Sequence, residues 1–198
     1  MTAIMQPAPD RKSQTHARIL GVAARAIRRG GYAGVGVADI MKEAGLTHGG
    51  FYAHFASRDA MLVEAMQRAA QDSYEWLARE TAQRRAAGET PFAALVQVYL
   101  HDSQLGSVED GCVVAALASE MPRQHEAVLD GARLRVQQLI EAVRAALPPH
   151  LATQAATVTA TLVGGLQLAR SLGGKPGRAM LAGIRQSLLQ QYVAAGAR

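Results

Sequence analysis

Apolar residues recur at helical spacing along the chain, and glycine or proline interrupts them at intervals. Within residues 13–29, Ile19, Ala23 and Ile27 lie four positions apart, and a pair of glycines follows. Such a stripe predicts an amphipathic helix that ends at a glycine C-cap. Prolines stand close to the ends of several later apolar stretches as well. The pattern as a whole predicts an all-α protein.

The region 37–62 predicts two short helices joined by a glycine turn and followed at once by a long helix. Gly45 separates the two short helices, which cover residues 37–44 and 47–55, and Thr47 is expected to cap the second. Two short helices held at a steep angle by a small turn present the second one as a rod that fits the major groove of DNA. The region therefore predicts a helix-turn-helix element.

The long fourth helix is predicted to begin after Ser57, a suitable N-cap, and to run to about residue 87. With five further predicted helices the chain has about nine, and the later ones cover residues 91–103, 111–120, 124–147, 149–172 and 176–195. A domain boundary near residue 56 divides the chain into a flexible arm over 1–12, a helix-turn-helix domain over 13–56 and a larger helical domain over 57–198.

The last two helices each carry an apolar stripe that suits pairing with a second copy of the chain. Two such helices can meet their twins around a two-fold axis and form a four-helix bundle, so a homodimer is expected. The alternative is a core that serves only its own chain. The candidate dimer residues are Leu151, Ala155, Val158, Leu162, Leu166, Leu181, Ile184, Leu188 and Tyr192.

The composition is that of a globular protein, with 49% apolar and 19% charged residues. Residues 1–60 hold eight Lys or Arg against four acids, which accounts for most of the formal net charge of +5. Basic charge there lowers the cost of approaching phosphates. An excess of this size also serves solubility alone, so charge by itself leaves both interpretations open.

Cysteine usage and hydropathy bear on location. The lone cysteine, Cys112, excludes an intramolecular disulfide and suggests a reducing, cytoplasmic home. No run of 18 apolar residues predicts a membrane span, and the first residues do not resemble a signal peptide. No cofactor, metal site or catalytic residue is predicted.

Several short motifs in the first third of the chain occur in a familiar order and spacing. They are Gly31-Tyr32, Asp39-Ile40, Ala44-Gly45-Leu46-Thr47, Phe51-Tyr52-Ala53-His54-Phe55 and Arg58-Asp59. Together they resemble the tetracycline-repressor (TetR) family of bacterial transcription regulators, over about residues 13–65. A weaker match lies at residues 111–121, where GCVVAALASEM is similar to a segment of some family branches.

The resemblance implies an all-α homodimer with a three-helix DNA-binding domain and a carboxy-terminal domain for ligand binding and dimerisation. Members typically repress transcription from a palindromic operator on double-stranded DNA. A small molecule that enters the carboxy-terminal pocket moves the two DNA-binding domains apart and releases the DNA. Such a protein is cytoplasmic and lies on the nucleoid when bound.

The resemblance also assigns residues to the DNA surface. Tyr52, His54 and Arg58 match positions that contact the DNA backbone, where they add affinity without reading sequence. Base reading is assigned to His48 and Gly50 at the start of the third helix. Further candidates at this surface are Thr47, whose hydroxyl can also meet a phosphate, and Ala53.

Two departures from the family pattern affect this surface. Gly36 stands where Ser or Thr usually caps the second helix, and His48 stands where Lys or Arg is frequent. The pair Gly49-Gly50 also costs helix propensity, at roughly 1 kcal/mol per glycine relative to alanine. Close approach of the backbone to DNA and simple sequence drift both explain that pair.

A ligand pocket is expected among the helices between about residues 76 and 167. Few charges lie nearby, so a hydrophobic ligand is expected. Side chains at helical spacing also serve as plain core, and that alternative stays open for each candidate. Cys112 is similarly either a sensor of oxidants or electrophiles or a small buried apolar residue. The candidates are Trp76, Phe92, Val96, Tyr99, Leu117, Met121 and Gln167.

Two rival functions remain. A small helical enzyme would use groups such as His101-Asp102 or His125 and Glu126, but their spacing fits no standard ligand pattern, and the common catalytic motifs are absent. A sequence-independent DNA-binding protein would be far more basic than +5 over 198 residues. The sequence therefore favours a sequence-specific DNA-binding regulator.

Overall fold

The computed structural model describes residues 10–193, and within them the chain forms helices and no strands. The all-α class is confirmed. The α-helices are α1 (Arg11–Gly30), α2 (Val37–Glu43), α3 (Arg58–Ala86), α4 (Pro91–Tyr99), α5 (Val113–Leu117), α6 (Glu126–Ala146), α7 (Ala155–Leu172) and α8 (Gly174–Tyr192). Short 3-10 helices cover His48–Ala53, Asp102–Leu105, Met121–Arg123 and Pro149–Gln154. We call the first of these, His48–Ala53, the reading helix.

Capping side chains determine where the two long amino-terminal helices begin. The Asp10 carboxylate accepts a hydrogen bond from the backbone N–H of Ser13 at 2.6 Å, so α1 starts two residues earlier than the stripe predicted. Ser57 Oγ accepts from the N–H of Ala60 at 3.0 Å, which confirms the predicted cap of α3. Of the predicted arm over 1–12, residues 1–9 lie outside the described residues, as do residues 194–195 of the last predicted helix.

Two predicted helices are shorter than expected. α4 ends at Tyr99, and a separate 3-10 helix follows because His101 Nδ1 accepts from the N–H of Ser103 at 3.2 Å. Residues 111–120 were predicted as one helix, but only α5 is helical there. Short helices joined by turns let this region follow the surface of α1 and α3.

The amino-terminal domain packs on the first half of α3. The rings of Phe51 and Phe55 stack with centroids 5.4 Å apart, and the His16 ring stacks on Phe55 at 4.6 Å. The predicted small-domain core is confirmed, since Phe51, Phe55 and Ile40 are buried and Leu46 packs against them. The reading helix is therefore fixed from beneath by aromatic side chains.

A buried arginine joins α1 to α3. Arg28 is 3% exposed, and its Nη1 donates to the carbonyl oxygen of Ala69 at 3.1 Å. Its Nη2 lies 3.7 Å from a carboxylate oxygen of Asp72. Burial lowers the pKa of the Arg28 guanidinium, and the Asp72 carboxylate opposes that effect. The core tolerates the buried charge of Arg28 because the guanidinium is hydrogen-bonded and partly paired with a carboxylate.

Ser73, one turn beyond Ala69, joins α3 to the start of α5. Its Oγ accepts from the N–H of Val113 at 3.2 Å and lies 2.9 Å from the carbonyl oxygen of Gly111, to which it can donate. Arg28 Nη1 approaches the same Oγ at 3.5 Å. One hydroxyl thus connects α1, α3 and the segment that precedes α5.

Residues 109–120 also contact the end of α1 directly. A carboxylate oxygen of Glu120 accepts from the backbone N–H of Tyr32 at 3.0 Å, and Arg29 Nη1 lies 3.0 Å from a carboxylate oxygen of Glu109. Gly31 has φ +73°, and a Cβ there would lie 2.3 Å from Glu120 Oε1, so no other residue fits this turn without rearrangement. We call residues 109–120 the coupling segment.

The apolar stripes of the last two helices face the core of their own chain. α7 packs closely on α8 at Gly165, where a Cβ would lie 2.6 Å from Ile184 Cδ1, so a larger residue would have to displace the end of that side chain. Of the candidate dimer residues, Leu151 and Ile184 are half-buried, and seven are buried: Ala155, Val158, Leu162, Leu166, Leu181, Leu188 and Tyr192. Within the chain these stripes pack against α4, α6 and each other's helix. The opposite face of α7 carries the exposed Leu168 and Leu172.

No helix within the described residues has the length and apolar character needed to cross a membrane.

Candidate DNA-binding surface and cavity

The reading helix lies on the surface with most of its side chains in solvent. His48 and Ala53 are exposed, Gly50 is half-buried, and the Tyr52 side chain is 71% exposed. Tyr52 stands edge-on to the buried Phe51 ring, with centroids 5.3 Å apart. The structure therefore brings four of the candidate DNA-binding residues together on one exposed surface.

Thr47 precedes the reading helix but does not cap it with its side chain, contrary to the prediction. Its carbonyl oxygen accepts from the N–H of Gly50 at 3.1 Å, which is the short-range pattern of a 3-10 helix. The exposed Thr47 hydroxyl is thus left available at the surface. Gly36 likewise makes no side-chain cap for α2, as its lack of a side chain requires.

The two glycines of the reading helix are not required by the fold. Neither Gly49 nor Gly50 has a positive φ. A Cβ on Gly49 would meet nothing within 4 Å, and one on Gly50 would make ordinary contacts with Met41 Cε at 3.6 Å and Thr47 Oγ1 at 3.8 Å. Close approach to DNA and sequence drift both remain explanations of the pair.

His54 sits at the edge of the aromatic cluster rather than fully in solvent. Its Nδ1 is buried and has no hydrogen-bond partner within residues 10–193. Burial lowers the pKa of His54, and the positive charges of His16 and Lys12 lower it further. The uncharged form of the ring is therefore favoured relative to that of a free histidine.

Arg58 holds the loop after α1 against the start of α3. Its Nη2 donates to the carbonyl oxygen of Tyr32 at 2.5 Å, and its Nε donates to that of Val35 at 3.1 Å. Its Nη1 lies 3.9 Å from the Asp59 carboxylate. Sequence reasoning missed this bracing role, because the two carbonyls lie more than twenty positions earlier and leave no local pattern.

A cavity lies between α3, α4, the start of α5 and α6. Its volume of about 50 Å³ is smaller than pockets that hold drug-sized ligands, so a ligand of that size requires the walls to move. Cys112, Val113 and Val114 of the coupling segment form one wall. The remaining lining residues are Ala70, Ser73, Tyr74, Trp76, Leu77, Tyr99, Arg135, Gln138, Leu139 and Ala142.

Two of the candidate pocket residues, Trp76 and Tyr99, line this cavity. The other candidates do not line it. Phe92 is buried and lines a second pocket beside Tyr192 and residues 145–150. Gln167 is half-buried on α7, and Val96, Leu117 and Met121 are buried in the core. Five of the seven candidates chosen by helical spacing are buried, and Trp76 and Gln167 are half-buried, but spacing did not distinguish core from cavity wall.

The residues behind the enzyme alternative have structural roles or lie apart. No group of three or more His, Cys, Asp or Glu within the described part of the chain is arranged to hold a metal ion. His101 caps a 3-10 helix, and Asp102 lies 3.4 Å from Arg185 Nη1. Glu126 pairs with Arg133 at 2.7 Å on the exposed side of α6.

Comparison with known proteins agrees with this geometry. Residues 19–65, which run from α1 into α3, match the family described as bacterial regulatory proteins, tetR family. A comparison with curated proteins finds no match.

Solved structures share the fold over nearly the whole chain. A TetR-family regulator from Agrobacterium tumefaciens has a TM-score of 0.73 at 23% identity, covering 91% of this chain and 98% of that one. One from Cytophaga hutchinsonii has a TM-score of 0.75 at 18% identity, with 92% and 94% covered. NemR of E. coli in its reduced form has a TM-score of 0.69 at 19% identity, with 87% and 96% covered.

The fold, with its exposed reading helix, is that of a helix-turn-helix DNA-binding regulator. Residues 19–65 match the TetR family, and the described chain as a whole shares its fold with solved TetR-family transcriptional regulators. The resemblance inferred from the motifs is confirmed.

The bracing role of Arg58 predicts a stability effect separate from any effect on DNA. Arg58→Ala leaves two carbonyls without a charged donor, so the free energy of unfolding should fall by about 1–2 kcal/mol in urea denaturation. The exposed Arg18 on α1 is the control, and Arg18→Ala should change the free energy of unfolding by less than about 0.5 kcal/mol. Equal stability of the two variants would contradict the bracing role.

Proposed function

We propose that this protein is a sequence-specific transcriptional repressor that binds a palindromic operator as a homodimer and leaves it when a small molecule binds. The observation that carries the proposal is the reading helix, which stands exposed on a family-matched domain. The aromatic cluster beneath holds that helix rigid. The net positive charge of the first 60 residues favours a polyanionic partner.

The proposed DNA contacts divide into two kinds. The Tyr52 hydroxyl, the His54 ring and the outer Nη1 of Arg58 meet phosphates, which positions the domain without reading bases. The exposed side chain of His48 enters the major groove. Thr47, Gly50 and Ala53 are small enough to let the reading helix approach the base edges.

These two kinds of contact predict different mutant behaviour in a selection from random duplex DNA. Tyr52→Phe removes one phosphate donor and keeps the ring, so affinity for every duplex should fall by about five- to tenfold with the preferred sequence unchanged. His48→Ala should change the preferred bases. Thr153→Val, which removes an exposed hydroxyl just before α7, is the control.

The same selection tests the proposal as a whole. The wild-type protein should enrich one sequence with two inverted half-sites, centred about 34 Å or a multiple of it apart. Equal retention of all duplexes would instead support the sequence-independent alternative. An unchanged preference in His48→Ala would remove the base-reading assignment.

The proposed dimer uses the exposed face of α7 and α8. Leu168 and Leu172 stand one turn apart on α7, with 57% and 58% of each residue in solvent. Gly164 lies one turn before Leu168, and a Cβ there would meet nothing within 4 Å, as at Gly183 on α8. Exposed leucines beside open glycines suit close packing of two helix pairs.

The dimer surface can be tested by charge insertion. Leu168→Glu places a carboxylate in the proposed interface, so the protein should become monomeric in sedimentation velocity at micromolar concentration. Leu134→Glu on α6 is the matched control, since that leucine is also exposed, and it should leave the dimer intact. A dimer that persists in Leu168→Glu would place the interface elsewhere.

The proposed release of DNA follows from the position of the coupling segment. Cys112, Val113 and Val114 form a wall of the cavity, while Glu109 and Glu120 at the segment's two ends contact the end of α1. A ligand that enlarges the cavity must push this wall outward. It thereby favours a second arrangement of α1 and the reading helix, and the operator-binding arrangement becomes less populated.

A further inference from the structure

A group of buried polar side chains beside the cavity lacks hydrogen-bond partners. Tyr99 is 1% exposed and Gln104 is 4% exposed. The Tyr99 hydroxyl, Gln104 Oε1 and both Nη atoms of Arg170 are buried without a partner in the part of the chain that the structure describes. Native proteins rarely leave such atoms unpaired, so a group that satisfies them is expected at this place.

The backbone positions these atoms around one small space. Arg170 Nε donates to the carbonyl oxygen of Gln104 at 2.9 Å, which holds the guanidinium in place. A Cβ on Gly111 would lie 2.9 Å from Gln104 Oε1 and 3.0 Å from Arg170 Nη2. Because Gly111 has no side chain, both polar groups converge over its backbone.

Tyr99 connects this space to the cavity. It lines the cavity together with Cys112, which immediately follows Gly111. Burial strongly raises the pKa of Tyr99, the neighbouring Cys112 side chain raises it further, and the positive charge of Arg170 opposes both effects. The phenol is therefore a protonated donor that lies within the field of Arg170.

The charge of this group is unbalanced. No Asp or Glu within residues 10–193 forms an ion pair with Arg170. Burial lowers the pKa of its guanidinium, and the nearby Cys112 and Tyr99 side chains oppose that effect. Arg170 is half-buried as a residue, and its two buried, unpaired Nη atoms are best satisfied by an anion, because a water molecule supplies no charge.

We propose that the ligand of this protein is an amphipathic acid, whose carboxylate is bound by Arg170, Tyr99 and Gln104 while its apolar body occupies the cavity. This assignment rests on the proposed ligand-regulated function and specifies its ligand class. The carboxylate accepts from the Nη atoms and the phenol, and the Gln104 amide can turn its NH₂ toward it. Apolar side chains such as Ala70, Leu77 and Leu139 surround the body.

The test compares acids with alcohols of the same carbon skeleton, in the absence of DNA. The acids are hexanoate, octanoate, benzoate and 3-phenylpropionate, and the alcohols are 1-hexanol, 1-octanol, benzyl alcohol and 3-phenyl-1-propanol. Thermal unfolding and isothermal titration calorimetry report binding. At least one acid should raise Tm and bind about tenfold or more tightly than its alcohol.

Variants test which groups hold the carboxylate. Tyr99→Phe keeps the ring and removes one hydrogen-bond donor. It should therefore lower the affinity for the acid by about fivefold and leave the affinity for the alcohol unchanged. Arg170→Met should abolish the preference for the acid. Arg178→Met, at an exposed arginine on α8, is the control for loss of a positive charge.

The proposal is overturned if no acid in the panel raises Tm or if the alcohols bind as tightly as the acids. It is also overturned if Tyr99→Phe leaves the acid's affinity unchanged. If Arg170→Met does not fold, the comparison of acid with alcohol and the Tyr99→Phe variant decide the question. The ligand test contains no DNA, so its outcome does not depend on operator binding. A failure of the random-DNA selection would therefore count against the proposed function and not against the ligand assignment.

Discussion

The contact between the Glu120 carboxylate and the backbone N–H of Tyr32 is the constraint that fixes the coupling segment against the end of α1. It joins residues that lie 88 positions apart. The contact needs Gly31, because a side chain there would occupy the place of the carboxylate. The same carboxylate affects the phenol of the buried Tyr32. The pKa of that phenol is raised to about 12, mainly by burial and to a smaller extent by the charge of Glu120.

The coupling segment gives this constraint its functional meaning. Glu109 and Glu120 contact the end of α1, and Ser73 ties the residues between them to α3. A charged hydrogen bond of this kind contributes about 1.5–3 kcal/mol, which is the range of free energy that couples two sites in typical allosteric proteins. The loss or shift of these few contacts is therefore sufficient to change how strongly the reading helix is held.

Local sequence signals predicted much of the fold, and contacts distant in sequence account for the rest. The glycine after α1, the Ser57 cap and the aromatic residues of the small domain are local features, and all were predicted correctly. The stripes of α7 and α8 were found, but a stripe does not reveal whether its own chain or a second copy covers it. The coupling segment and the Arg58 brace join residues far apart in sequence, so periodicity could not reveal them.

Amide hydrogen exchange of Glu120→Ala tests most directly whether the coupling segment holds the reading helix. Our account predicts about tenfold faster exchange or more at Tyr32, with smaller increases through residues 33–55 and unchanged protection in α7 and α8. Glu126→Ala, which removes an exposed ion pair on α6, should leave residues 31–55 unchanged. Unaltered exchange at Tyr32, or a uniform increase in all helices, would contradict the account.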